Sequence, residues 1–168
     1  ALCCLSAETS DLSLRPEGVA CHMLGGGWNL ARPSALGVYR DLRRILKRER
    51  PDVVHSFLFV SNVMGPFAAR AMGVRGVVAS RGRMGIEWNA HFLHRFLQRA
   101  ADRRSDAILC KTEAMAREIA RHENVPLSKI RVIPNGVDTR RFAPPAAEAR
   151  SSARARLERS GVIAPDSF

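Results

Sequence analysis

The sequence predicts an α/β protein built on a doubly wound, Rossmann-like sheet of parallel strands. Short apolar runs of strand length alternate with longer segments of helical period along the chain. Pro, Gly or Asn stands at many of the changes of period, where the backbone must turn. The length of 168 residues, 46% of them apolar and 26% charged, suits a domain with a core of ordinary size.

Ala1–Leu5 and Val19–Leu24 read as the first two strands, with the turn-prone Arg15-Pro16-Glu17-Gly18 before the second. Gly25-Gly26-Gly27 lacks the Lys-Ser/Thr of a Walker loop and the spacing of a dinucleotide loop, so it reads as a crossover. Pro33-Ser34 opens a helix running to about Arg50, with Ala35, Val38, Tyr39, Leu42, Ile45 and Leu46 on its inner face. Pro51-Asp52 ends that helix and starts the strand Val53-Val54-His55. Ser61 is the expected N-cap of the next helix, whose inward residues would be Val63, Met64, Phe67, Ala71 and Met72, with Gly73 as its stop.

Gly76–Ser80 is again a strand. Phe92, Leu93, Phe96, Leu97 and Ala100 recur at helical spacing and predict the inner face of a further helix. Asp106–Lys111 forms the next strand, and Thr112 caps a helix over Glu113–His122 with Glu113 at its positive end. A last strand, Ile130–Ile133, is stopped by Pro134 and turned by Asn135-Gly136. The arginine-rich segment 146–159 reads as a helix ending at Gly161.

The net charge is +11, and only Lys47, Lys111 and Lys129 of the 27 basic residues are lysines. Two physical readings compete: attraction to an anionic surface, or a solvated surface written in arginine. Arg40, Arg43, Arg44, Lys47 and Arg48 fall on one helix face, opposite Leu42 and Leu46. Such a face can rest on anionic headgroups, each charge contributing about 1 kcal/mol, or simply face water. No nucleic-acid-reading motif is present, and aromatics are too few for base-stacking platforms, so nucleic acid is not expected as a partner. Cys3, Cys4, Cys21 and Cys110 sit in strand patterns rather than Cys-x2-Cys pairs, so buried free thiols in a reducing cytosol are expected instead of a zinc site. No apolar run reaches the roughly 18–20 residues of a membrane span.

The run Lys129-Ile130-Arg131-Val132-Ile133-Pro134-Asn135-Gly136-Val137-Asp138, with Phe142 and Pro144 behind it, resembles the strand-to-linker passage of family 4 retaining glycosyltransferases. These enzymes have the two-domain GT-B architecture. Arg50–Ser56, Ser105–Leu109 and Thr112-Glu113-Ala114 are similar to further family positions, so the resemblance covers nearly the whole chain. It implies the N-terminal, acceptor-side domain over residues 1–144, and a linker with the start of a donor-binding domain over 145–168. It also implies that both edges are cut. Family members carry a strand, a Gly-rich loop and a helix before the equivalent of Leu2, and that strand lies between those assigned to residues 1–5 and 52–56.

The activity implied is transfer of a sugar, with retention, from a nucleotide sugar to a glycan or lipid-linked acceptor. No metal or other cofactor is expected, since basic side chains and helix N-termini hold the leaving phosphate. The implied location is cytoplasmic, peripheral on the inner face of a membrane, and the fragment alone is expected to be inactive. The alternatives are a non-catalytic basic module on an anionic membrane and another GT-B enzyme such as a nucleotide-sugar epimerase.

Candidate residues stand at strand ends, where open parallel sheets bind ligands. His55, Ser56 and Asn62 are candidates to contact an acceptor; a satisfied buried histidine explains His55 equally well. Arg81, Gly82 and Arg83 offer two guanidiniums to phosphate or an anionic acceptor, or two solvent-facing arginines. Many family members place a histidine near Gly82; none occurs here between Ser80 and Trp88. Lys111, Thr112 and Glu113 would line the cleft or merely cap a helix. Asn135, Gly136 and Asp138 would shape the hinge between domains.

Overall fold

A computed structural model describes residues 1–5, 17–25, 30, 33–82, 92–144, 146–162 and 164. The chain divides into two compact units, Ala1–Pro134 and Asn135–Phe168.

In the first unit, strands β1 (Leu2–Cys4) and β2 (Cys21–Met23) pair in parallel. Four more strands, β3 (Val53–Phe57), β4 (Gly76–Ser80), β5 (Ala107–Cys110) and β6 (Ile130–Val132), form a second parallel sheet in the order β3-β4-β5-β6. The expected α/β architecture of parallel strands flanked by helices is therefore present. Among the described residues no ladder joins the two sheets.

The connecting helices are α1 (Ser34–Glu49), α2 (Phe59–Ala71), α3 (Phe92–Arg104) and α4 (Glu113–Glu123). Right-handed crossovers that step in one direction across a sheet place their helices on one face. The packing agrees. Val38, Leu42 and Leu46 of α1 form a core with Val60, Met64 and Ala68 of α2. Met115, Ala116 and Ile119 of α4 pack on Ile108, Cys110 and Ile130. Alternation along β3 then sorts its side chains: Val54 and Ser56 turn toward the helices, and Val53, His55 and Phe57 are exposed.

Several sequence expectations are corrected. Helix α2 begins at Phe59, after a Leu58 held at φ 68° and ψ 162°, so Ser61 is not its cap. Phe67 and Ala71 are not buried in it; Val60, Asn62, Ala68 and Ala69 are. Helix α3 is turned the other way round: Gln98, Ala101 and Asp102 are buried, while Phe92, Leu93 and Phe96 are exposed. Of the four free cysteines only Cys110 is buried; Cys3, Cys4 and Cys21 are half-buried. By contrast Gly73 adopts φ +71° just past α2, and Thr112 caps α4, both as the sequence suggests.

The second unit contains α5 (Ala147–Arg159), an arginine-rich helix with no buried residue, followed by Gly161 at φ +71°. No described helix in either unit is long and apolar enough to cross a membrane.

Candidate functional site

Parallel pairing in register brings the carboxyl ends of β3, β4 and β5 side by side, and the polar residues there form the candidate site. His55 pairs with Val78 and Phe57 with Ser80 across the β3–β4 ladder. His55 Nε2 lies 2.7 Å from Ser80 Oγ, a hydrogen bond between neighbouring strand tips. Its ring leans on Phe57, with centroids 4.2 Å apart. Partial desolvation holds the His55 pKa below its ordinary value, so the imidazole is neutral at neutral pH and can accept or donate one proton. His55 is thus an exposed, hydrogen-bonded histidine, not a buried one.

Burial removes two expected acceptor contacts from the surface. Ser56, one residue from His55, lies on the helix-covered face, where its Oγ donates to Val78 O at 3.3 Å. It sits under Gly65, where any added Cβ would come within 3.2 Å of the Ser56 Cβ. Asn62 is 2% exposed and donates from Nδ2 to Ser80 O at 2.8 Å. It ties α2 to the tip of β4, so Asn62 supports the site from behind.

Arg81 also departs from expectation. Neither a surface ligand contact nor a solvent-facing group, it is 3% exposed and its guanidinium turns inward beneath the β4 tip. Nη2 donates to Asp102 Oδ1 at 2.5 Å and to Glu123 Oε2 at 3.0 Å. Gln98 Nε2 donates to the same Asp102 oxygen at 2.9 Å. One strand end is thereby bound to α3 and to the last turn of α4. Lys129 reinforces the anchor by donating Nζ to the carbonyls of Asp102 and Arg103 at 2.7 and 3.2 Å.

A single guanidinium shared by two buried carboxylates leaves one negative charge poorly compensated. Burial pushes the Glu123 pKa up to about 7, Arg81 pulls it down by less, and Asp102 adds to the rise. Asp102, Glu123 and Gln98 were not among the residues singled out from the sequence. Their signal was Gln98 and Asp102 at i and i+4, with small Ala101 beside them, which marks a second and polar helix face.

Gly82 is exposed, with open space where a Cβ would stand. Arg83 lies outside the described residues. Lys111 and Glu113 are exposed at the tip of β5, and Thr112 Oγ1 accepts a hydrogen bond from Met115 N at 3.2 Å. That bond satisfies one of the free N–H groups in the first turn of α4. Asn135, Gly136 and Asp138 are exposed at the start of the second unit. There Asp138 Oδ1 accepts from the backbone N–H groups of Arg140 and Arg141, shaping a turn. Among the described residues no three His, Cys, Asp or Glu side chains are grouped to hold a metal ion. Arg40, Arg43, Arg44, Lys47 and Arg48 are all exposed on α1, although Arg44 pairs with Asp41 at 2.7 Å and Arg48 with Glu49 at 3.1 Å.

Comparison with known proteins gives concordant matches. The sequence model described as Glycosyltransferase Family 4 matches residues 2–141. A UDP-Gal:alpha-D-GlcNAc-diphosphoundecaprenol alpha-1,3-galactosyltransferase of Escherichia coli is 30% identical over 108 residues, which is 62% of this chain. The chain spans 28% of the length of that relative. Among solved structures, a glycosyltransferase from Rickettsia africae aligns with a TM-score of 0.60 at 14% identity, over 86% of this chain and 37% of the other. The UDP-GlcNAc 2-epimerase of Methanocaldococcus jannaschii aligns with a TM-score of 0.55 at 19% identity, over 71% of this chain and 32% of the other. At these identities both structures speak to the fold alone.

Proposed function

From the premise that this chain belongs to glycosyltransferase family 4, we propose that it forms the acceptor-side wall of a retaining glycosyltransferase. The whole enzyme transfers a hexose or N-acetylhexosamine from a nucleotide sugar to a glycan or lipid-linked acceptor. The observation that carries this is the row of parallel strand tips with the His55–Ser80 pair exposed at its edge. A neutral imidazole hydrogen-bonded to a hydroxyl orients an acceptor hydroxyl without placing charge near a developing oxocarbenium ion. Gly82, just past the tip of β4, is a candidate acceptor contact, and Arg83 is carried as a candidate from the sequence alone. Lys111, Thr112 and Glu113, exposed at the tip of β5, are further candidate ligand contacts, and Asn135, Gly136 and Asp138 are candidate linker residues. The leaving diphosphate is held without a metal, and the enzyme works at the cytoplasmic face of a membrane, with the α1 arginines toward anionic lipid.

The test is an assay of the full-length protein with UDP- and GDP-sugars against glycan and polyprenyl-diphosphate-linked acceptors, with and without EDTA. Transfer with the anomeric configuration kept, unaffected by EDTA, is expected, and His55→Ala should raise the acceptor KM more than the donor KM. No transfer from any donor overturns the reading. Conversion of a free nucleotide sugar to its epimer without acceptor replaces it with the epimerase alternative.

A further inference from the structure

We infer that helix α3 seats this domain on an anionic lipid bilayer, inserting Phe92, Leu93 and Phe96 while the arginines behind them meet the headgroups. The starting observation is the reversed polarity of the helix. Phe92, Leu93 and Phe96 are 85%, 51% and 57% exposed, yet Gln98 and Asp102 are buried. The inward polar residues are held by Arg81 and Glu123, so α3 cannot roll to hide its apolar side without breaking that cluster. Large apolar groups gathered on an exposed face mark a surface meant for a partner.

The charge of the helix selects the partner. Its one acidic residue, Asp102, is buried against Arg81, whereas Arg95, Arg103 and Arg104 are exposed. Phe92, Phe96, Arg99 and Arg103 follow one another at i, i+4, i+7 and i+11. Arg99 is half-buried and donates to His122 O at 3.0 Å, so Arg95, Arg103 and Arg104 carry the exposed charge behind the apolar front. Aromatic and leucine residues beside arginines on a surface helix fit the boundary between acyl chains and anionic headgroups. A second copy of the chain fits poorly, since it would set these arginines against their own kind in a protein of net charge +11.

Two further features extend the apolar front. Phe59 contacts His94 edge-on at 5.3 Å, which brings the first turn of α3 beside the tip of β3, where Phe57 and Leu58 are each 57% exposed. Leu58 keeps a backbone conformation suited to glycine, a cost borne by a residue whose side chain reaches solvent. Behind them an apolar groove of about 370 Å3 runs between α1, α2 and α3, lined by Leu36, Tyr39, Met64, Phe67 and Leu97 among others. The inserted edge therefore lies next to the His55–Ser80 pair, where a lipid-linked acceptor would rise from the bilayer.

Docking of this kind deepens the reading of a lipid-linked acceptor and rests on it for its purpose, but it is read without turnover, so either can fail alone. The experiment is flotation of the full-length protein with vesicles of phosphatidylcholine, alone or mixed with phosphatidylglycerol, at low and high salt. Binding to the mixed vesicles that weakens with salt is expected. Phe92→Ser/Phe96→Ser should weaken it by about tenfold or more, with transfer to a water-soluble acceptor analogue kept. Leu58→Gly, which suits the backbone and removes the exposed side chain, should weaken it less. Equal binding by wild type and the double variant overturns the inference. So does a larger loss from Arg40→Gln/Arg44→Gln/Arg48→Gln on α1, or wild type that ignores vesicles and self-associates through these phenylalanines in sedimentation.

Discussion

Helices α3 and α4 are neighbours of similar length that each join two adjacent strands, and the faces they bury differ: mostly apolar in α4, with Glu123 at its end, and mostly polar in α3. Helix α4 turns Met115, Ala116 and Ile119 onto Ile108, Cys110 and Ile130, as an amphipathic helix on a sheet is expected to do. Helix α3 buries Gln98 and Asp102 and leaves Phe92, Leu93 and Phe96 outside. The difference is set by what each helix meets. The partner of α4 is an apolar sheet face along most of its length, and only Glu123 in its last turn reaches Arg81; α3 meets the Arg81 guanidinium with Asp102 in its buried stretch, beside Gln98. A buried cation attracts carboxylates, and Asp102 turns α3 toward Arg81, while Glu123 meets it only from the last turn of α4.

The largest effect should come from removing that cation. Arg81→Met leaves Asp102 and Glu123 buried without their partner, and breaking a buried pair on one side costs about 3–5 kcal/mol. Urea unfolding of the full-length protein, followed by hydrogen exchange in α3 and α4, measures it. A loss below about 1 kcal/mol would mean that the cluster does not fix α3. Replacing Arg81, Asp102 and Glu123 together by apolar residues of similar volume should restore most of the stability, because no unpaired charge then remains. In that triple variant the orientation of α3 is held by packing alone, so its apolar face should become less protected from exchange.

The second effect is a pH dependence located on the same cluster. The Glu123 pKa is raised from an ordinary 4.5 to about 7 by burial, so the folded chain holds a proton that the unfolded chain has released. Stability from this group is full below about 4.5 and is lost as pH rises through about 7. Glu123→Gln, neutral throughout, should remove that decline while leaving contributions from other groups in place. Matching stability curves for wild type and variant between these two values would show that Glu123 titrates normally.

Much of this architecture was readable in the chain. The period of Val38, Leu42 and Leu46 fixed the inner face of α1, Thr112 announced the start of α4, and Gly73 the end of α2. What escaped depended on partners distant in sequence. The apolar positions of α3 have helical spacing, and spacing alone says that a face exists, not which way it points. The deciding contact joins Arg81 to Asp102, 21 residues on, across a strand-to-helix packing that no local period encodes. Ser56 reads as a site residue in the sequence for a related reason. Alternation separates it from His55, but which of the two faces the helices is settled only by the handedness of the crossovers. Leu58 escaped because its strained backbone is a property of the turn and leaves no mark in its side-chain type.

The smallest effects give the finest comparison between the two helices. Ile119→Val deletes one methylene from the packed side of α4 and should cost about 0.5–1.5 kcal/mol. Phe96→Ser deletes most of an aromatic side chain from α3, yet the residue is more than half exposed, so its cost should stay within about 0.5 kcal/mol. On side-chain size alone the ranking would be reversed. Both variants can be followed in the same urea and hydrogen-exchange measurements, with vesicle flotation as the second readout. There the order inverts again, Phe96→Ser losing lipid and Ile119→Val keeping it. A Phe96→Ser protein destabilised as much as a core variant would show that the outward face of α3 is covered within its own chain, and the contrast between the helices would vanish.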